Sequence, residues 1–218
     1  MKKAMQVFQQ NHKNALPTNI IIYRDGVSAA ERAMVVEREI SQLQDACNEC
    51  YNQAATKPKI TLVIVNKRII QTFFVKDANG RLQNPPSGCI IDRELVESSN
   101  SSGKANAEFD FFLVPVVGTQ GCMKPTHFFV PLNQSQLTKL ELEHLTFALC
   151  NYYFNWSGPI KVPAPCMYAH KIADLFTTIG YSKRVKPLSK PKFGGVTVEQ
   201  LTDFIARQKP LNHCLFFL

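Results

Sequence analysis

A run of β-branched and aromatic residues, Ile20 to Tyr23, stops abruptly at Arg24, Asp25 and Gly26. The run is too short for a helix and reads as a buried strand, which Gly26 breaks. Ser28 and Glu31 have the spacing of a capping box, so a helix is expected over about 29–52. A strand, an acid, a turn and a helix in that order place one carboxylate at the carboxyl end of a buried strand, where α/β folds hold ligands and metals. Asp25 is thus a candidate Mg²⁺ ligand. The plainer alternative is that it bonds amides of its own turn.

Ile60 to Asn66 is a second apolar run, and strand, helix, strand makes a right-handed βαβ unit with a parallel pair. Lys67 and Arg68 then fall at the same sheet edge as Asp25. The helix between them is expected to bury Met34, Val36, Ile40, Leu43, Cys47 and Cys50, leaving Glu31, Arg32, Glu37, Arg38 and Glu39 in water. Ile69 to Val75 and Cys89 to Asp92 read as short strands, with a turn at Asn79-Gly80. Phe109 with Phe111 to Val117, and Thr126 to Leu132, suit neighbouring strands. Thr138 and Glu141 form a second capping box, opening a helix to about Phe154 that buries Leu142, Leu145, Leu149 and Tyr152. A helix over roughly 165–180 carries His170, and another is expected from Thr197 to about Gln208. Residues 1–17 read as an incoming helix tail or a linker. Residues 98–107 read as a mobile Ser/Asn/Gly-rich loop and 182–193 as an extended basic one.

The 218 residues suffice for one sizeable core. No apolar run approaches the roughly 20 residues of a membrane helix, and the N-terminus has too little apolar length for a secretory signal. An intracellular protein, cytoplasmic or nuclear, is expected. Seven irregularly spaced cysteines point to reduced thiols rather than a disulfide framework. Cys47-Asn-Glu-Cys50 lacks a second ligand pair for zinc and lies on the apolar stripe of its helix, so it reads as core. A net charge of +8 and a pI near 9.2 call for a polyanionic partner. No helical segment is lysine-rich along one face, which favours nucleic acid over an acidic membrane.

Several segments together resemble the PIWI domain of Argonaute proteins, and the Piwi branch most. They are Tyr23-Arg-Asp-Gly-Val-Ser28, Asn84-Pro-Pro-Ser-Gly88 with Asp92, Gln120-Gly121 with Lys124-Pro-Thr-His127, and Leu145-Thr-Phe-Ala-Leu-Cys150. Asn155-Trp156, Val162-Pro-Ala-Pro-Cys-Met-Tyr-Ala-His170 and the final Leu215-Phe-Phe-Leu218 follow. The resemblance implies an α/β, ribonuclease H-like fold, a mixed sheet flanked by helices, over residues 18–218 and incomplete at its N-terminal strands. It also implies small-RNA-guided silencing, with a guide RNA such as a piRNA, a complementary target RNA and silencing-complex proteins as partners. A complete domain of this kind is a Mg²⁺- or Mn²⁺-dependent endoribonuclease, in which carboxylates hold paired metal ions. By the same resemblance Asp25 and His170 are members of a four-residue catalytic, metal-holding site. His170, just inside its helix, would be kept neutral by the partial positive charge there. Lys67 and Arg68 match positions along the guide backbone, Lys124 matches another basic contact, Lys161 stands where relatives present a hydroxyl to a guide phosphate and would substitute a charge, and Leu218 matches a terminal carboxylate near the ion at the guide's 5′ phosphate. A plain hydrophobic anchor is the other reading of Leu218.

The family's first aspartate and its glutamate precede the Tyr23–Ser28 segment, and Met1 to Pro17 contains no acid. Binding without efficient cleavage is therefore expected of this chain. Two other readings stand beside it. One is a non-catalytic RNA or protein interaction module. The other is a free-standing ribonuclease H or transposase-type nuclease, which requires Asp92 and Asp110 close to Asp25.

Overall fold

β-Branched side chains pack well on a pleated surface, and the run at Ile20 forms a strand, β1, Asn19–Asp25. The computed structural model describes residues 1–51, 57–93, 108–118 and 121–181. They belong to two compact units, Met1–Pro163 and Ala164–Leu218. In the first unit, helix α1, Lys2–Asn11, precedes β1, and a 3₁₀ turn at Ala29–Glu31 leads into α2, Arg32–Cys50. Then come β2, Lys59–Asn66, and the small hairpin β3, Val75–Lys76, with β4, Leu82–Gln83. The unit continues through β5, Cys89–Ile91, β6, Phe109–Val114, β7, Thr126–Asn133, and α3, Lys139–Cys150. The described part of the second unit is α4, Ala164–Tyr181. No helix among the described residues is long and apolar enough to cross a membrane.

Five strands form one sheet in the order β1-β2-β7-β6-β5. β1 and β2 are parallel, with Asp25 opposite Val65, and the remaining pairs are antiparallel. A parallel pair needs a crossover, and α2 supplies it. The central strands β2 and β6 are buried on both sides, as their largely apolar sequences require. On one face, α1 and α2 cover Ile20, Ile22 and Ile60 through Met5, Leu43, Cys47 and Tyr51. Nearer the strand ends, Val35 of α2 packs with Val27, Ile64 and Phe129. On the other face, Phe111 and Phe128 stack at 5.1 Å, and α3 reaches β1 through a 2.9 Å bond between Tyr23 and Thr146.

The α/β class, the parallel unit and the β6–β7 pairing follow the sequence. Residues 1–17 turn out to be largely helical, and Met5 is part of the core. Ile69 to Phe74 form no strand; pairing begins only at Val75. Cys47 is buried and Cys50 packs beside it, as core. Met34, however, is 44% exposed and Val35 is buried instead. Met34 heads the helical row of Arg38, Ser41 and Asp45, all exposed, whereas Val35 shares a row with Leu43 and Cys47. In α3 the inward seam is Leu142, Glu143, Thr146 and Cys150; the helix ends there, and Tyr152 lies past it, 72% exposed.

The two capping boxes differ. At α3 the box is complete: Thr138 accepts the Glu141 amide, and the Glu141 carboxylate accepts the Thr138 amide at 2.7 Å. These bonds hold the Glu141 carboxyl below its ordinary range, the backbone bond most. At α2 only one half exists. Glu31 accepts the Ser28 amide and hydroxyl, but the Glu31 amide donates to the Ser28 carbonyl at 3.1 Å rather than to its hydroxyl, and a 3₁₀ turn precedes α2. Thr138→Ala should therefore lower stability by about 1 kcal/mol in urea unfolding. Ser28→Ala should move it by only a few tenths.

Candidate nucleic-acid interface

Strand direction decides which charged residues share an edge. β1 and β2 run in parallel, so Asp25, the last residue of β1, and Lys67 and Arg68, just after β2, emerge together. β7 runs the other way, with Asn66 opposite His127, so its start lies at this same edge. Lys124 precedes that start by two residues. The Thr126 hydroxyl donates to the Lys161 carbonyl at 2.7 Å, which brings Lys161 there too. β1 and β7 are two strand spacings apart, about 10 Å. Arg68, Lys124 and Lys161 are exposed. Cations across such a span suit a phosphodiester backbone, which they bind without reading sequence.

Asp25 is held more tightly than the sequence suggests. Its Oδ1 accepts the Gly26 amide at 2.6 Å, the plain turn bond of an aspartate before glycine. Gly26 has φ +83°, a conformation that favours glycine at that turn. The other oxygen, Oδ2, accepts a hydrogen bond from Lys67 Nζ at 2.9 Å. Arg24 at the same strand end is held by both oxygens of Glu39 on α2.

The loop that bears Lys124 is clamped by a residue the sequence did not single out for a role. Asn84 Nδ2 donates to the Gly121 carbonyl at 2.8 Å, and its Oδ1 accepts the Met123 amide at 2.9 Å. An asparagine can hold two backbone groups of a neighbouring loop in this way. Next to it, Gly88 has φ +83°, and a Cβ there would lie 3.2 Å from the Phe147 ring.

A buried polar chain lies behind this edge. Asp110 and His127 are diagonal neighbours on β6 and β7, joined at 2.7 Å between Oδ2 and Nε2. Arg32 Nη2 is 3.1 Å from His127 Nδ1, and its guanidinium lies over the Phe129 ring. A guanidinium can only donate, so Nδ1 is the acceptor and Nε2–H donates to Asp110. Arg32, expected to stay in water, is thus half-buried, and Asp110 is buried. The free-standing nuclease reading fails on the same observation. Asp110 is three strand spacings from β1, about 14 Å, and Asp92, past β5, is about 19 Å away. Neither can share a metal with Asp25.

No group of three His, Cys, Asp or Glu residues among the described ones could hold a metal ion. The single strand-end carboxylate, already on an ammonium, does not fit a paired Mg²⁺ site. His170 is the seventh residue of α4, past the first turn within which a helix start exerts its field. Leu218, the 98–107 and 182–193 loops and the helix expected at Thr197 lie outside the described residues.

Comparison with known proteins agrees with these motifs. Residues 1–179 match the model of the Piwi domain. Piwi-like protein 1 of Danio rerio is 37% identical over 176 residues, which are 81% of this chain and 19% of that protein. The crystal structure of Drosophila Piwi superposes with a TM-score of 0.62 at 30% identity, over 79% of this chain and 22% of that one. Kluyveromyces polysporus Argonaute, solved with a guide RNA, gives a TM-score of 0.65 at 25% identity, over 83% and 21%. The chain spans about a fifth of the length of these proteins. The mixed, helix-flanked sheet is the ribonuclease H-like sheet of the Argonaute PIWI lobe. On its motifs, its sheet and these likenesses, the chain belongs to the Piwi family of Argonaute proteins.

Proposed function

We propose that this chain binds a small guide RNA and its paired target through their phosphates, as part of small-RNA-guided silencing, and does not by itself cleave the target. The observation that carries the reading is the gathering of Lys67, Arg68, Lys124 and Lys161 at one sheet edge by the register of β1, β2 and β7. Arg68, Lys124 and Lys161 are the phosphate contacts, and Asn84 fixes the loop that presents Lys124. Lys67 reaches phosphate only by leaving Asp25. Asp25 and His170 correspond to two of the family's four metal-facing residues. In a chain supplying the remaining acids they would serve a Mg²⁺-dependent endoribonuclease. Here no group of three His, Cys, Asp or Glu stands among the described residues to hold a metal ion.

Salt dependence tests this directly. Binding of a 5′-phosphorylated single-stranded RNA, followed between 50 and 200 mM KCl, should weaken steeply. Each of Arg68→Ala and Lys124→Ala should reduce the log–log slope by about 0.7, the increment for one phosphate contact on a single strand. Labelled target should remain intact in Mg²⁺. A slope unchanged by both substitutions would remove this edge from the interface, and guide-dependent cleavage would overturn the non-catalytic part.

A further inference from the structure

We infer that the Lys67 ammonium is the resident counter-ion of Asp25, standing where a divalent ion would otherwise bind, so that this edge is kept metal-free. Asp25 sits opposite Val65, and Lys67 lies two residues beyond Val65 on the same face, so its stem folds back over the strand end. The ammonium lies 2.9 Å from Oδ2, on an aspartate side chain only 9% exposed. The Lys67 side chain is 35% exposed, so the pair is partly buried and salt screens it less than a fully exposed one. A divalent ion arriving at Asp25 would face an adjacent cation. Mg²⁺ gives up hydration water reluctantly and wants one or two free carboxylates. The other oxygen is on the Gly26 amide, and no cluster of three His, Cys, Asp or Glu stands among the described residues. The chain's own lysine thus does the electrostatic work of a metal at this strand end.

Binding of Mn²⁺, followed by electron paramagnetic resonance with the full chain and no RNA, separates this inference from the RNA-binding reading. The unsubstituted protein should bind Mn²⁺ no more tightly than Asp25→Asn. Lys67→Met should strengthen binding at least tenfold, Lys67→Arg should not, and adding Asp25→Asn to Lys67→Met should abolish the gain. A second readout uses the unsubstituted lysine: after reductive methylation with ¹³C, the Lys67 methyl resonance should stand apart from the other lysines and rejoin them in Asp25→Asn. The inference is overturned by Asp25-dependent Mn²⁺ binding in the unsubstituted protein, by a folded Lys67→Met with no gain, or by a Lys67 resonance indifferent to Asp25→Asn. Loss of RNA binding alone would leave all these metal readouts interpretable.

Discussion

Asp110→Ala should destabilise the first unit by about 3 kcal/mol, near the upper end for a single substitution. The carboxylate is 1% exposed and balances a charge that enters from another element. Arg32 brings the positive charge on α2, His127 relays it as a neutral ring, and Asp110 closes the chain on β6. Removing the acid strands the Nε2–H of His127 in a site walled by Phe112, whose ring stacks on the imidazole at 4.4 Å. It also removes the negative end of the chain that Arg32 joins. Asp110→Asn keeps an acceptor for Nε2–H and loses only the charge, so it should cost about 1–2 kcal/mol. Urea unfolding with a constant m-value reads both. Equal losses for the two variants would mean that the ring does not donate to Asp110. A loss below 1 kcal/mol for the alanine variant would mean that the chain is not structural.

That chain also marks where the sequence stopped being legible. Ile60 to Val65 declared its strand because a doubly covered strand must be largely apolar, and Ile20 to Tyr23 because its β-branched residues suit a pleated surface. Thr138 and Glu141 declared a helix start because their bonds are local. The edge holding Asp25, Lys67 and Arg68 was legible too, since a parallel βαβ unit brings both strand ends to one side. Lys161 joins that edge through a backbone contact with Thr126, which no local pattern encodes. Arg32 looked like a solvated residue at a helix start. One of its partners is a histidine 95 positions later. One signal was available. Asp110 and His127 interrupt two apolar strands expected to be neighbours, and a polar residue on a doubly buried strand needs a partner. The stripe on α2 was misphased for another reason. Met34 and Val35 are both apolar, and only the polar row of Arg38, Ser41 and Asp45 tells which faces water.

Glu143→Gln should stabilise the protein by about 2 kcal/mol at pH 8 and by almost nothing at about pH 4. Glu143 sits on the inward seam of α3, 3% exposed, and its Oε1 has no hydrogen-bond partner. Burial, and then the charge of Asp92, push its carboxyl up to about 7 against the opposing pull of Lys139. Lys139 itself is committed elsewhere, donating to the Asp92 carbonyl at 2.6 Å. An acid with a raised folded-state pKa holds its proton in the native state after the unfolded chain has lost it. Stability therefore falls as pH rises from about 4.5 to about 7 and is level above that. At about 1.4 kcal/mol per tenfold, the ionised group costs roughly 3 kcal/mol above pH 7, and local relaxation trims that to about 2. Glutamine keeps the shape and a donor like the protonated acid, and it never ionises. Glu31 and Glu141 work in the opposite sense, since their lowered carboxyls lose their contribution as pH falls. The difference between Glu143→Gln and the unsubstituted protein cancels them. Thermal unfolding should show the variant about 4–8 °C higher at pH 8, with the curves converging at about pH 4. A gap independent of pH would place the benefit in packing rather than in the buried charge.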